Sequence, residues 1–285
     1  MNPPAGTARP TGPLSVAAVQ ARAVPGDIAA NSLSAARQTD RAASDGARVV
    51  VLPELHLPGY DLATLAADPR AQIPVDDPES VTDPRLDPLR ASAQSTGATV
   101  LVGAALRGPH GSLTNSLLAV RPTGTVSAVY DKQHLWHSDE AALFRAGRHT
   151  GVLDVDGWRL GLAICYDMSF PEHARAAAVA GADAYVCASA FASGNEHRAR
   201  VYLAARALEN TVYSVFVNPV GGPADRPCSG ASLLYGPDGT LLTEAQTDKE
   251  QVLTARFSFD AIERVRGFLH MLEEHRTAGT AAVAP

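Results

Sequence analysis

The run Val49-Val50-Val51-Leu52, closed by Pro53, constrains this chain more than any other stretch. A strand that is apolar at every position has no face fit for water, so Arg48 to Leu52 predicts a central strand covered on both sides. Pro53 ends it, because proline has no N–H to give to the ladder. Such a strand demands neighbours and a substantial core. With 285 residues, 46% of them apolar and 19% charged, the chain has the material for one. A single domain of roughly 200 to 250 residues is routine, and no linker or internal repeat breaks the chain.

The remaining pattern is that of a mixed α/β fold. Leu14 to Gln20 reads as a first strand, and Asp27 to Ser44 as a helix stopped by Gly46. After a loop rich in Pro and Asp come a helix from Pro84 to Ser95 and a strand from Ala98 to Gly103. Asn115 to Val120 and Val126 to Tyr130 flank Pro122-Thr123-Gly124, a hairpin signal. Arg159 to Ile164 is a strand that runs directly into Cys165, and Ser169 with Glu172 forms a capping-box pattern for a helix reaching about Ala180. A strand at Asp183 to Ala188, a helix from Glu196 to Leu208, a strand at Val212 to Val217 and a hairpin at Gly236-Pro237-Asp238-Gly239 complete the pattern. Helices outside a mixed sheet follow. Residues 1–13 and 277–285 are plain and aperiodic, so both ends are expected to be loose around a folded domain at 14–276.

A net charge of −6 and a pI of 5.8, without any basic run, argue against nucleic acid as the main partner. No stretch approaches the ~20 apolar residues that span a bilayer, and the N-terminus lacks a basic region followed by an apolar one. A soluble cytoplasmic protein acting on a small molecule is expected. Cys165, Cys187 and Cys228 are odd in number and far apart, which predicts free thiols. His134 and His137, three apart, form no convincing ligand set with the cysteines, so neither metal nor cofactor is expected.

Three predicted strand ends carry reactive side chains: Glu54 after Pro53, Lys132 after Tyr130-Asp131, and Cys165 after Ile164. Strand ends suit catalysis because the sheet aims the group while the loop leaves it accessible. A thiol, a carboxylate and an ammonium suffice for acyl transfer from an amide, as nucleophile, proton carrier and oxyanion stabiliser. Free thiol is mostly protonated at neutral pH, and a neighbouring base or cation remedies that.

Leu52-Pro53-Glu54, then Tyr130-Asp131-Lys132-Gln133-His134-Leu135, then Cys165-Tyr166-Asp167 with Phe170-Pro171-Glu172, resemble the three successive signatures of the nitrilase, or carbon-nitrogen hydrolase, superfamily. Glu140 with Phe144 and Gly147, Arg206 to Asn210, and Asn218 to Gly221 extend the likeness over nearly the whole chain. The resemblance implies a four-layer α-β-β-α sandwich and self-association, as a homodimer or higher homo-oligomer, through outer helices. It also implies roles: Cys165 as nucleophile, Glu54 as general base, Lys132 as stabiliser of the tetrahedral intermediate, and Glu140 as a second glutamate that orients Lys132 or the substrate. The Tyr166 backbone N–H would be an oxyanion donor.

Phe191 and Ala192, following a strand beside the reactive ones, are expected to line the acyl pocket. Cys187, mid-strand among apolar neighbours, reads as core, Cys228 as incidental, and Arg206 with Glu209 as a pair on a helix face. Many amidases of this kind read Cys-Tyr-Asp-Leu-Arg-Phe-Pro-Glu, whereas Met168 and Ser169 stand here in place of the Leu-Arg pair. That removes an arginine able to pair with a substrate carboxylate, which counts against an acidic substrate such as an ω-amido acid. Nitrile-cleaving members commonly read Cys-Trp-Glu at the nucleophile, so Cys165-Tyr166-Asp167 favours a linear amide over a nitrile; N-carbamoyl cleavage is a further alternative. The rivals are a silent binding protein of the same fold and a Cys-His hydrolase using His173 or His197. No G-x-S-x-G and no P-loop occurs.

Overall fold

In a computed structural model the chain is described at residue 10 and residues 12–278. Two sheets organise it. The first runs, edge to edge, Gln251–Phe257, Leu14–Gln20, Val49–Val51, Thr99–Arg107, Leu113–Val120 and Val126–Asp131, with Ile73–Pro74 added beside Thr99–Arg107. The second runs Leu241–Glu244, Leu233–Tyr235, Tyr213–Val217, Ala184–Ala188, Trp158–Ile164 and Gly151–Val155. Each has three parallel strands at its centre and antiparallel strands towards both edges, the short Ile73–Pro74 pairing parallel to Thr99–Arg107.

Val49 to Leu52 are all 0% exposed, as a run apolar on both faces requires. Their period of two divides them between two cores. Val49 and Val51 pack in one with Leu14, Val16 and Leu101 of their own sheet and with Leu160, Leu162 and Val186 of the second. Val50 and Leu52 pack in the other with Ala35, Ala36 and Ala42 of the helix Ile28–Ser44 and Leu89 and Ala93 of the helix Asp87–Thr96. Ala177 and Ala178 of the helix Pro171–Val179 and Leu203 and Ala207 of the helix Glu196–Asn210 join the core that holds the second sheet. The first sheet thus shares one core with the second sheet and another with two helices. Each valine so buried contributes roughly 1.5–3 kcal/mol, so a charge at Val50 would break the layer contact.

Local chemistry explains the boundaries. The Asp27 side chain accepts from the Ala30 N–H at 2.9 Å and starts the first helix, and Gly46, at φ +88°, follows its end. The expected helix start at Ser169 is corrected. Residues Cys165–Ser169 wind into a tight 3₁₀ turn, and the helix begins at Pro171, whose missing N–H costs nothing in a first turn. The segment read as a loop holds the helix Leu62–Ala67, and the helix His137–Leu143 and the strands Gly151–Val155 and Gln251–Phe257 arise from segments given no assignment.

Of the ends expected to be loose, residues 1–9, 11 and 279–285 lie outside the described residues, while the helix Met271–Ala278 takes in 277 and 278. The Trp158 indole N–H donates to the Gly12 carbonyl at 2.9 Å. Among the described residues no helix is long and apolar enough to cross a membrane.

Candidate active site

Glu54 stands just past the C-terminal end of Val49–Val51, in a loop that crosses the neighbouring strand at Gly103. The Gly103 N–H donates to the Pro53 carbonyl at 3.2 Å, and the Leu57 N–H to the Gly103 carbonyl at 3.0 Å. A Cβ on Gly103 would fall 2.3 Å from the Leu55 nitrogen and 2.4 Å from the Pro53 oxygen, so only glycine admits the loop. Leu55, at φ 47°, completes the reversal. The Glu54 N–H donates to the Ser189 carbonyl at 3.2 Å, which binds the loop to the second sheet.

The Glu54 carboxylate is buried and meets two donors at Oε1, Lys132 Nζ and Asn115 Nδ2, both at 2.7 Å. Lys132 also donates to Glu140 Oε1 at 2.9 Å and Oε2 at 2.7 Å. Glu140 accepts further from Tyr60 OH and from the Trp136 N–H, both at 2.7 Å. Lys132 is fixed through its backbone, donating to Asn115 O and accepting from Gly147 N–H, each at 2.8 Å. Gly147 lies so close that a Cβ there would come 2.2 Å from the Asp131 oxygen.

Two carboxylates on one ammonium, all removed from water, are costly by several kcal/mol per ion and are a poor device for stability. Burial drives Glu54 above the usual carboxylate range, Lys132 pulls it back, and the charge of Glu140 adds to the rise. Burial works against the Lys132 ammonium, yet Glu54, Cys165 and Glu140 together hold its pKa above the ordinary lysine value. The lysine is therefore a fixed cation, and Glu54 a base of raised proton affinity.

Cys165 opens the 3₁₀ turn after Trp158–Ile164 at φ 44°, a strained conformation for a residue with a Cβ. Asp167 holds this turn. Its buried carboxylate accepts from the Ile164 N–H at 3.0 Å, the His134 N–H at 2.9 Å and Tyr130 OH at 2.7 Å, and meets His134 Nδ1 at 2.8 Å. Burial works against this charge, but His134, His173 and the other donors keep Asp167 below its ordinary pKa. Tyr130 and His134 flank Lys132 in sequence, so one buried anion couples the cysteine turn to the lysine segment.

Cys165 is buried and within electrostatic reach of both Glu54 and Lys132. Burial and then the Glu54 charge push its thiol well above the ordinary value, while Lys132 and the Ala190 N–H act the other way. The resting thiol keeps its proton until a base takes it. A cavity of about 390 Å³ is lined by Cys165, Tyr166, Phe191 and Ala192, together with Trp136, Arg198 and Arg226. Phe191 is braced by Asn218, which accepts its N–H at 2.7 Å and donates to its carbonyl at 3.0 Å. A smaller hollow lined by Glu54, His56, Tyr60 and Cys228 shares Ala190 and Arg226 with that cavity.

All the sequence-derived site residues therefore gather in one region. Cys187 is core, with burial pushing its thiol up to about 12. Cys228, read as incidental, borders the hollow beside Glu54 with a thiol likewise raised by burial to about 12. Arg206 pairs with Glu209 at 2.8 Å as expected and also donates to the Met168 carbonyl at 3.0 Å, tying its helix to the cysteine turn. The Cys-His alternative lacks its geometry: His173 is engaged by Tyr130 OH at 2.8 Å and Tyr185 OH at 3.0 Å, and His197 is exposed.

Asn115, Tyr60, His56, Arg198 and Arg226 were not singled out from sequence. None left a local signature there, Asn115 standing between Thr114 and Ser116 in the polar part of its strand. His56 is 2% exposed, neither of its ring nitrogens has a hydrogen-bond partner among the described residues, and burial keeps it neutral, its pKa lowered to about 4.

The profile of the carbon-nitrogen hydrolase family matches residues 15–267. A Pseudomonas protegens protein described as "Hydrolase in pqqF 5'region" is 32% identical over 241 residues, covering 84% of this chain and 81% of its own. A 2-oxoglutaramate amidase of Bacillus subtilis is 27% identical over 234 residues, covering 82% and 86%. Among solved structures, an amidase of the nitrilase superfamily from Nesterenkonia superposes with a TM-score of 0.76 at 27% identity, over 95% of this chain and 98% of its own.

Proposed function

The chain belongs to the carbon-nitrogen hydrolase family, and from that premise we propose that it is an amidase that cleaves small linear amides through a thioester on Cys165. The observation that carries the reading is the buried Glu54–Lys132–Glu140 cluster in electrostatic contact with a strained, cavity-lining cysteine. Stability does not call for such a cluster, and acyl transfer does.

Glu54 takes the thiol proton as the sulfur attacks the amide carbonyl carbon, and the carbonyl electron pair moves onto oxygen. Lys132 and the Tyr166 backbone N–H stabilise that oxyanion, a donor of this kind being worth about 3 kcal/mol. When the carbon–nitrogen bond breaks, Glu54 returns the proton to the departing nitrogen, so ammonia or an amine leaves and the thioester remains. Water then attacks the thioester with Glu54 as base, and the carboxylic acid departs as the sulfur regains its proton. Glu140 keeps Lys132 charged and aimed. Self-association belongs to the same proposal, since Val201 and Leu208, 65% and 42% exposed, stand two turns apart on one outer helix.

The test is ammonia release from a panel of aliphatic amides, with mass spectrometry of protein quenched during turnover. The expected result is steady turnover and an acyl adduct on Cys165 alone. Turnover by Cys165→Ala, or an adduct on Cys228, would overturn the scheme.

A further inference from the structure

The cavity above Cys165 carries two guanidinium groups and, among its lining residues, no carboxylate. Arg198 enters from the first turn of the helix Glu196–Asn210, its guanidinium carbon 5.5 Å from the Phe191 ring centroid and 5.8 Å from that of Tyr202. Arg226 enters from the loop between Gly221 and Cys228, 5.5 Å from the Trp136 ring centroid and 5.8 Å from that of Tyr60. Among the described residues neither arginine forms an ion pair, in contrast to Arg48, Arg70, Arg85, Arg90, Arg200 and Arg206.

Stacking on aromatic faces orients each fork, and although Arg198 also reaches the neutral Asn195 Oδ1 at 3.4 Å and the Tyr202 hydroxyl, neither guanidinium meets a carboxylate among the described residues, so both can take an anion. The helix N-terminus behind Arg198 adds positive potential, which Glu196 in the same turn, already accepting from the Gly194 N–H and Ser229 Oγ, partly offsets. Against this, Ser169 occupies the place where many amidases of the family carry an arginine beside the nucleophile. Any charge recognition in this chain must therefore come from other residues, and these two share the cavity with the sulfur.

We propose that Arg198 and Arg226 form a carboxylate-binding subsite, so that the preferred substrates are amides whose acyl chain ends in a carboxylate, the ω-amido acids. This rests on the amidase reading and names the substrate class of the same site. Trp136, Tyr166 and Phe191 would hold the methylene chain between the carboxylate and the neutral amide, whose carbonyl faces Cys165. The arginines act on binding, not on bond breaking, so their effect belongs in KM. Hydrogen bonds to a charged group of this kind correspond to roughly 10- to 100-fold in affinity each.

The experiment measures kcat and KM for succinamate and glutaramate against butyramide and valeramide, with wild type, Arg198→Met, Arg226→Met and the double variant. In parallel, calorimetric titration of Cys165→Ala protein, with and without the arginine changes, reads binding apart from turnover. The expected wild-type kcat/KM favours the anionic amides at least about 10-fold. Each Arg→Met change should lower the anionic-to-neutral ratio through KM, the double variant should abolish the preference, and added salt should weaken it wherever an arginine remains. An unchanged ratio, or a wild type indifferent to the carboxylate, overturns the subsite while leaving the amidase reading intact. Failure of every amide to turn over, with succinamate still bound through the arginines, would instead overturn the amidase reading and support the subsite.

Discussion

A carboxylate sealed from water gains proton affinity from burial and loses it to a neighbouring cation, and for Glu54 burial prevails over Lys132. Glu140, which shares Lys132, adds to the rise through its own charge. As the proposed base Glu54 must be deprotonated, so activity should fall as pH drops through its pKa. In Glu140→Gln that upward push is gone, Glu54 should titrate lower, and the acid limb of kcat/KM should move to lower pH. The same change removes an anchor of Lys132, so kcat should fall about 10- to 100-fold. A pH–rate profile reads both effects, and a uniform loss with an unmoved limb would mean that Glu140 only fills space. The side chains proposed to carry the chemistry could be named from the sequence because each sits inside its own short signature at a strand end. Their partners were not. Asn115 meets Glu54 across 61 positions and Tyr60 meets Glu140 across 80, and no local pattern encodes which strand ends will adjoin.

Elements place these groups only where two backbones are allowed to touch. The Glu54 loop lies directly on Gly103, where an added methyl would overlap backbone atoms that no rotamer change can move. Gly103→Ala should cost about 1–3 kcal/mol, lower the melting temperature by several degrees, and reduce kcat by displacing Glu54. Full activity at an unchanged melting temperature would show that the loop tolerates a shift. Strands buried on both faces, such as Val49–Val51 and Ala184–Ala188, were readable because every position is apolar. Gln251–Phe257 was not, since only Leu253 and Phe257 of its seven residues are buried and its place comes from pairing with Leu14–Gln20. The helix start expected at Ser169 was displaced for a related reason. Asp167 turns inward to accept from the Ile164 N–H, and the chain spends one 3₁₀ turn there before Pro171 can begin a helix.

At the scale of the molecule, both sheets share one plan, a parallel centre with antiparallel flanks, and the site lies where the carboxyl ends of those centres meet. Ligand sites favour such ends because loops diverge there. Glu54 comes from one sheet and Cys165 from the other, joined through the Glu54 N–H to Ser189 bond, so anything that lets the sheets slide should act on catalysis first. The helix Glu196–Asn210 serves both faces of this design. Leu203 and Ala207 point into the core and Arg206 ties it to the cysteine turn, while Val201 and Leu208 face outward. The hairpin tip at Gly239 approaches Leu208 Cβ within reach of a methyl, and Leu241 and Leu242 beyond it are 45% and 46% exposed. Single exposed apolar residues are ordinary, but a clustered set marks an interface. Val201→Asp should therefore shift the sedimenting species from a multiple of the 29.7 kDa chain toward the single chain. Its effect on the fold of one chain should stay within about 0.5 kcal/mol, as for other surface changes. If wild type sediments as a single chain, or if the aspartate leaves the assembly intact, this face is not the seam between copies.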